Sequence, residues 1–176
     1  MLIESHWYAI YVRSRFERTV GRLLAEKSYE QFVPMYRCRR RWSDRVKEVE
    51  LPLFPNYAFC RMTDTARGRI VTTPGVIRIV GAGNQPLPVD ESEIAALQQI
   101  MASGVRTEPW PFLQVGRPVQ IDGGPLCGMR GVLCRIRNAD RLIVSVTLLR
   151  RSVAVELDRA MVSPVESTAF VPAMDA

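Results

Sequence analysis

The sequence predicts an α+β domain over residues 1–103 and a small β-barrel over residues 115–166, joined by a linker at 104–114. In residues 1–103, short apolar runs that predict strands alternate with segments whose apolar residues recur at helical spacing. Two of these helical segments begin at N-terminal capping patterns. The segment GVRTEPWPFLQ then carries two prolines and no periodicity, which is typical of a linker. Beyond it, short strand-like runs alternate with glycine-rich and charged turns. The last residues, 167–176, are expected to form a flexible tail.

The first elements predicted along the chain are a strand, a helix and a hairpin. HWYAIYV is a compact apolar run that predicts a buried strand. Ser14 and Glu17 match the S-x-x-E capping box, and apolar residues then recur at helical spacing to about residue 28. QFVPMYRC predicts a second strand, RRRWSDRVK a charged hairpin tip, and VELPLF the return. NYAFCRM is the third strand of the predicted sheet.

The following elements complete an antiparallel sheet flanked by helices. TDTARGRIVTTPGV predicts a short helix that ends at Thr73-Pro74-Gly75, and a strand follows over residues 76–80. GAGNQPLP is a turn-rich loop. Asp90 and Glu93 form a second capping pattern, which opens a helix with one apolar face.

The stretch ELPLFPNYAFCRM concentrates aromatic side chains beside two prolines. Pro52 and Pro55 cannot donate to a sheet ladder, so they predict a stiff, extended approach to the strand. Because side chains alternate along a strand, Tyr57 and Phe59 share one face. Two interpretations follow: the aromatic side chains form part of the core, or some of them form an apolar docking surface.

Positive charge is concentrated in one part of the chain. The net charge is +6, and residues 13–47 contain eleven basic and four acidic residues. Such a patch attracts phosphate backbones, although a solvated basic face has the same composition. The residues predicted to face nucleic acid are Arg13, Arg15, Arg18, Arg22, Arg39, Arg40 and Arg41.

The C-terminal part predicts strands in preference to helices. The five strand candidates cover residues 117–122, 131–137, 141–149, 152–157 and 160–165. Val144, Val146, Val153 and Val155 are β-branched residues at alternating positions, which favours strand over helix. Gly-Gly-Pro at 123–125 would interrupt any helix there.

No catalytic or metal-binding pattern is present in the sequence. The chain lacks G-x-S-x-G, P-loop and H-E-x-x-H motifs, and its four cysteines form no CxxC pair. We therefore predict no enzymatic activity, no cofactor and no metal site. The apolar runs at the N-terminus are short and interrupted by polar residues, which predicts neither a signal peptide nor a membrane span, hence a cytoplasmic protein.

Several motifs, in this order and spacing, resemble the NusG-type transcription elongation factors. They are Trp7-Tyr8, PLFPNYAF at 52–59, TPGV at 73–76, VGRPVQIDGGPLCGMRGVL, and SVAVEL at 152–157. PLFPNY is similar to the specialised RfaH and UpxY branch, since housekeeping members usually have glycine where Asn56 stands. The resemblance implies an NGN domain followed by an SH3-like β-barrel, the KOW domain. It also implies a monomer that promotes processive elongation and antitermination.

The resemblance also implies partners and site residues. The NGN domain would bind the clamp helices of the RNA polymerase β′ subunit through an apolar pocket formed by Tyr11, Phe54, Pro55, Tyr57, Phe59, Ile94 and Leu97. The basic patch would follow non-template or upstream DNA. The KOW domain would bind Rho or the ribosomal NusE protein through Leu126, Met129, Leu149 and Arg150.

The chain departs from the specialised branch at two places. Ala82 replaces a large aromatic residue, and Ala66-Arg67-Gly68 replaces a His-Thr-Thr element that contacts a second polymerase loop. In the KOW domain, Leu149 and Arg150 replace the exposed Phe-Gly of housekeeping members. RfaH holds its C-terminal domain as a helical hairpin over the pocket, whereas the β-branched pattern here predicts strands and a pocket open to solvent unless another surface covers it.

One alternative function is a stand-alone nucleic-acid-binding module. In that case aromatic side chains would lie exposed on an open sheet face beside basic residues, as in sheet-based RNA binders. A polymerase-binding pocket would instead lie between sheet and helix and be surrounded by apolar side chains. A ribosome-associated protein is a third interpretation, which only the KOW-like segment suggests.

Overall fold

A computed structural model describes residues 4–111, 117–136 and 139–165. Its helices are α1 (Glu17–Glu26), α2 (Arg67–Val71) and α3 (Glu91–Ser103). The strands of the N-terminal part are β1 (His6–Val12), β2 (Glu30–Phe32), β3 (Met35–Arg41), β4 (Val46–Pro52), β5 (Tyr57–Met62), β6 (Val76–Ile79), β7 (Gly81–Ala82) and β8 (Gln85–Pro86). The strands that follow are β9 (Thr107–Pro111), β10 (Arg117–Ile121), β11 (Arg130–Ile136), β12 (Ala139–Val146), β13 (Arg151–Glu156) and β14 (Val162–Pro164).

The N-terminal part is an antiparallel sheet with helices on both faces, which confirms the predicted α+β class. The sheet order is β2-β5-β1-β6, and Tyr11 lies opposite Tyr57 in the β1–β5 register. Side chains alternate between two buried clusters. Ile10 and Cys60 pack with residues of α1 and α2, whereas Trp7, Ala9 and Phe59 pack with residues of α3. Both faces of the sheet are therefore covered.

The two predicted helix caps had different outcomes. Asp90 is the N-cap of α3, and its side chain accepts a hydrogen bond of 2.7 Å from the backbone N–H of Ser92. The hydrogen bonds from Ser92 lower the pKa of Asp90. The capping box at Ser14 is wrong, because α1 begins after Phe16 with no side-chain cap. Glu17 is buried and binds a neighbouring turn instead of the helix start.

The basic hairpin forms a two-stranded sheet of its own. The predicted strand over 31–38 is divided at Val33-Pro34, since proline offers no N–H to the ladder. β3 and β4 then pair from Met35↔Pro52 to Arg41↔Val46, so the strands extend well into the predicted tip. The turn that joins them comprises residues 42–45, where the Trp42 N–H donates to the Arg45 carbonyl at 2.8 Å.

The C-terminal part is one antiparallel sheet in the order β14-β10-β11-β12-β13-β9. Its strands β10 to β14 confirm the preference for strands over a helical hairpin, although residues 147–149 form a 3-10 turn instead of continuing β12. No pairing among the described residues joins β14 to β9, so closure into a barrel stays a prediction. The predicted tail lies outside the described residues.

The segment predicted to be a linker contains a strand. β9 pairs with β13, with Pro109 opposite Val153 and Pro111 opposite Arg151. The prolines are tolerated because β9 lies at the edge of the sheet and needs donors on one side only. The predicted domain boundaries remain a prediction, but residues 107–111 belong to the C-terminal sheet.

Candidate functional site

The aromatic strand contributes to the core and to a half-buried rim. Phe54 and Phe59 are 1% and 0% exposed, and their rings meet edge to face with centroids 5.7 Å apart. Ile94 and Leu97 of α3 belong to the same buried cluster. Of the two interpretations of the aromatic strand, Phe54 and Phe59 therefore fit the first: they are core residues.

Tyr11 and Tyr57 lie at the rim of this cluster. Both are half-buried, and their ring centroids are 5.4 Å apart across the β1–β5 register. The guanidinium of Arg78 lies 5.5 Å from the Tyr11 ring, so one cation already stacks there. Pro55 is exposed and does not line the buried cluster. The structure thus brings five of the seven predicted pocket residues into or against the cluster beside α3, and Tyr11 adjoins them through Tyr57.

Asn56 forms the turn that leads into this strand. Its φ of +71° lies in the left-handed region, where glycine and asparagine are the favoured residues. Its backbone N–H donates to Glu17 Oε1 at 2.8 Å, and its carbonyl accepts from the Val12 N–H at 2.9 Å. Asn56 Nδ2 adds a longer hydrogen bond of 3.4 Å to the Val12 carbonyl. The turn therefore fixes where Tyr57 begins the strand.

Replacing Asn56 should separate the backbone requirement from the side-chain contact. We expect Asn56→Ala to lower the free energy of unfolding by about 1–2 kcal/mol, since alanine is strained at positive φ and loses the side-chain hydrogen bond. Asn56→Gly keeps the backbone geometry and should cost less. Urea unfolding of both variants tests this order, and an alanine variant as stable as the glycine variant would contradict it.

The C-terminal domain covers the region predicted to be an open pocket. One continuous buried cluster, named here the shared cluster, contains Ile94 and Leu97 of α3 together with Val144, Val146 and Val153 of the C-terminal sheet. The pocket was expected to be open unless another surface covered it, and in this arrangement the C-terminal sheet is that surface. The physical reason is that the apolar face of α3 and the apolar face of β12 bury one another.

Polar contacts surround this apolar interface. Glu93 Oε1 accepts hydrogen bonds from the backbone N–H of Thr147 at 3.1 Å and from its hydroxyl at 2.6 Å. Gln99 Nε2 donates to the carbonyls of Pro125 and Cys127 at 3.3 and 3.4 Å. The guanidinium of Arg151 lies 5.4 Å from the centroid of the Tyr57 ring. The rim residue Tyr57 is therefore also engaged by the C-terminal domain.

Glu93 is a titratable group within this contact. Burial raises the pKa of Glu93, the hydrogen bonds from Thr147 oppose the shift, and the charge of Asp90 adds to it. A raised carboxyl pKa means that the folded chain binds the proton more tightly than the unfolded chain does. Its stabilising contribution is thus present below the ordinary glutamate pKa and is lost as the pH rises through the raised value.

The predicted partner-binding residues of the C-terminal domain lie in and beside the same interface. Leu126 and Met129 are each 4% exposed and belong to the shared cluster. Leu149 is half-buried against it, and Arg150 is exposed, with a φ of +48° after the 3-10 turn. Leu126 and Met129 are therefore inaccessible while the two domains are in contact.

The predicted basic patch is divided between ion-paired and unpaired arginines. Arg18 and Arg37 both pair with Glu50, at 2.5 and 3.5 Å, and Arg22 pairs with Glu26 at 2.8 Å. The other arginines predicted to face nucleic acid have no ion pair within the described parts of the chain; they are Arg13, Arg15, Arg39, Arg40 and Arg41. Sequence reasoning missed Trp42, which stands next to this arginine run and is 56% exposed. An aromatic residue within a cationic hairpin tip was the available signal.

The segment that replaces the His-Thr-Thr element is held in place by a loop. Ala66 is buried at the start of α2, and Arg67 donates to Asn84 Oδ1 at 2.8 Å. Ala82 is exposed in the same turn region. Gly68 and Ala82 are thus exposed in this segment, whereas Ala66 belongs to the buried cluster on the α1 and α2 side of the sheet.

Neither a membrane-spanning helix nor a metal-binding cluster occurs among the described residues. No described helix is long and apolar enough to cross a membrane. No three metal-ligating side chains lie close enough together, within the same residues, to hold an ion. Burial raises the pKa of the Cys60 thiol to about 12, which leaves it an inert core residue.

Comparison with known proteins assigns the chain to a family. Residues 5–98 match the family described as "Transcription termination factor nusG". The transcription termination/antitermination protein NusG of Lactococcus lactis is 30% identical over 175 residues, covering 92% of this chain and 94% of the relative. The chain belongs to the NusG family. The NusG of Neisseria meningitidis is 26% identical over 173 residues, covering 90% of this chain and 97% of the relative.

A solved structure supports the fold. The chain is similar to the structure titled "Domain interaction in Thermotoga maritima NusG", with a TM-score of 0.59 and 24% identity. The match covers 93% of this chain and 98% of that chain. Both parts of this NusG-family chain are therefore matched, including the strands that follow α3.

Proposed function

We propose that the chain is a transcription elongation and antitermination factor that binds the clamp helices of the RNA polymerase β′ subunit. The contact surface is the apolar region between the N-terminal sheet and α3, rimmed by Tyr11 and Tyr57. The protein acts in the cytoplasm as a monomer, without a cofactor and without enzymatic activity. Family membership supports the general role, and the geometry of the aromatic strand supports the choice of surface.

The observation that carries this proposal is the position of the aromatic residues. Phe54 and Phe59 lie beneath α3, and both faces of the sheet are covered. A sheet-based nucleic-acid binder would need exposed aromatic side chains on an open face. An apolar site beside a helix instead fits an amphipathic helical partner such as a coiled-coil tip. The stand-alone sheet-binding alternative is accordingly disfavoured.

Polymerase binding requires the C-terminal domain to leave α3. The shared cluster contains Leu97 on one side and Val144 on the other, and the clamp helices cannot occupy space filled by β12. The same separation would uncover Leu126 and Met129, which we propose as part of the surface for Rho or the ribosomal NusE protein. One opening step would then expose both binding surfaces.

The basic residues are proposed to follow non-template or upstream DNA beside the bound polymerase. Arg13 and Arg15 are exposed in the loop before α1, and Arg39, Arg40 and Arg41 are exposed on the hairpin. Phosphate contacts from these residues would make part of the affinity depend on salt.

Binding to purified polymerase tests the proposed function. We expect the full chain to bind core RNA polymerase and to lose binding when the tip of the β′ clamp helices is deleted. The same deletion should abolish any effect of the chain on elongation rate and terminator read-through. Equal binding to intact and tip-deleted polymerase would reject the proposed surface, and binding to neither would reject the proposed function.

A further inference from the structure

We propose that one face of the β3–β4 hairpin binds single-stranded DNA, with an unpaired base stacked on Trp42 and flanking phosphates held by Arg40 and Lys47. The proposal deepens the DNA contact proposed above and defines its site and ligand class. It does not require the polymerase-binding surface, so the two can be tested separately.

The register of the hairpin divides its side chains between two faces. Residues directly opposite one another in an antiparallel pair share a face. One face, named here the groove face, carries the pairs Tyr36↔Leu51, Cys38↔Val49 and Arg40↔Lys47. The opposite face carries Arg37↔Glu50, Arg39↔Glu48 and Arg41↔Val46. The hairpin therefore has two chemically different sides.

The charges of the groove face are not compensated within the described chain. Arg40 lies directly opposite Lys47, and neither has an ion pair among the described residues. Like charges at directly opposed positions destabilise a strand pair. On the other face, Arg37 and Arg39 each oppose a glutamate, and Arg37 forms an ion pair with Glu50 at 3.5 Å; Arg41, near the tip, opposes Val46. A bound phosphate would relieve the repulsion on the groove face alone.

Trp42 lies beside these cations with its indole accessible. A shallow groove is lined by Arg40, Arg41, Trp42, Ser43, Val49 and Leu51. Trp42 is 56% exposed, and no described aromatic ring or guanidinium stacks on it. An exposed aromatic ring with an apolar floor and adjacent cations is the arrangement on which unpaired bases stack.

The base of the hairpin is anchored, so the site is held in a defined position. The Leu53 N–H donates to the Pro34 carbonyl at 2.9 Å, and Tyr36 packs against the shared core cluster. At the other end, the hydrogen bond from Trp42 to Arg45 closes the tip. A preformed aromatic platform lowers the ordering cost of binding.

The chemistry of the groove face favours single-stranded DNA over duplex DNA and RNA. A base inside a duplex is already stacked and cannot lie on the indole without being extruded. The groove has one side chain that can accept a hydrogen bond from a 2′-hydroxyl, the group that distinguishes RNA; it is the Ser43 hydroxyl, and no carboxylate or amide lines the groove. The groove floor of Val49 and Leu51 would desolvate a 2′-hydroxyl without replacing its hydrogen bonds.

Oligonucleotide binding to the full chain tests the proposal without polymerase. The probe is a labelled single strand of about 12 deoxyuridines, followed by fluorescence anisotropy at several salt concentrations. We expect Trp42→Ala to weaken binding about tenfold, which is the effect of losing one stacked base. Trp42→Phe should retain most of the affinity. Far-UV circular dichroism confirms that each variant is folded.

Matched control variants lie on the opposite face of the same hairpin. Val46 is 63% exposed and lies opposite Arg41, so Val46→Ala removes a similarly exposed apolar side chain and should leave binding unchanged. The slope of the logarithm of the binding constant against the logarithm of the salt concentration measures the number of phosphate contacts. Arg40→Gln should make this slope shallower by about 0.7, the value for one lost phosphate contact to a single strand. Arg39→Gln, opposite Glu48, should reduce it less.

Each remaining outcome is decisive. The complementary duplex and the matching oligouridine should bind several-fold more weakly than the deoxyuridine strand. Equal binding of the duplex, or equal loss from Trp42→Ala and Val46→Ala, would overturn the stacking site. Equal binding of the RNA strand would overturn the assignment to DNA. Trp42→Ala should still bind nucleic-acid-free core polymerase normally, which separates this site from the clamp contact.

Discussion

Covalent closure of the interface between α3 and the C-terminal domain is expected to abolish binding to RNA polymerase. Gln99 Nε2 lies 3.4 Å from the carbonyl oxygen of Cys127, and the Cys127 thiol is exposed. A Gln99→Cys variant can therefore be joined to the native Cys127 with a short bismaleimide. The bridge holds β12 against α3, and the clamp helices then have no access to the apolar region.

Controls separate closure from simple chemical modification. The unmodified Gln99→Cys variant should bind polymerase at least as well as the parent, because it loses the hydrogen bonds to Pro125 and Cys127. The parent chain treated with the same reagent carries modified thiols but no bridge across α3, and should retain binding. Full binding by the bridged chain would show that polymerase contacts another surface.

The contact between the two domains could not be predicted from the sequence. The pattern of α3 correctly predicted that Ile94 and Leu97 share an apolar face, but an apolar face does not specify what covers it. For Leu126 and Met129, the family resemblance implied only that they bind a partner of the C-terminal domain. Their mutual burial depends on how two folded surfaces fit together, which neither local periodicity nor spacing encodes.

Local backbone geometry explains the other differences. Ser14 matched a capping box, yet Arg15 adopts a φ of +67° and the helix begins after Phe16. Glu17 is then oriented to the Asn56 turn, a contact between residues 39 positions apart that a local motif cannot reveal. Pro109 and Pro111 led to the prediction of a linker, but both prolines lie in an edge strand, which tolerates them because it needs donors on one side only. The strand alternation around Tyr57 was predictable because its period depends only on neighbouring residues.

Replacing Tyr57 with alanine should weaken polymerase binding without unfolding the protein. An aromatic anchor at the rim of a docking surface is worth about 2 kcal/mol or more, so we expect Kd to rise at least about thirtyfold. Tyr57 is half-buried at the rim of the core cluster, beside Tyr11 and Arg151, so the variant should lose less stability than one that truncates a fully buried residue. Phe59→Ala is the matched core variant, and it should lower the free energy of unfolding by about 3–5 kcal/mol.

Because Tyr57 also contacts Arg151, the loss of polymerase affinity measured for Tyr57→Ala is a lower bound on the contribution of Tyr57 to polymerase binding. Removing the Tyr57 ring also removes its cation–π contact with the C-terminal domain, which favours the open form and partly offsets the lost polymerase contact. A double-mutant cycle with Arg151→Ala isolates the two contributions. In the Arg151→Ala background, the effect of Tyr57→Ala on polymerase affinity should be larger than in the parent chain. If Tyr57→Ala instead melts like Phe59→Ala and binds polymerase normally in both backgrounds, Tyr57 is a core residue and the docking surface lies elsewhere.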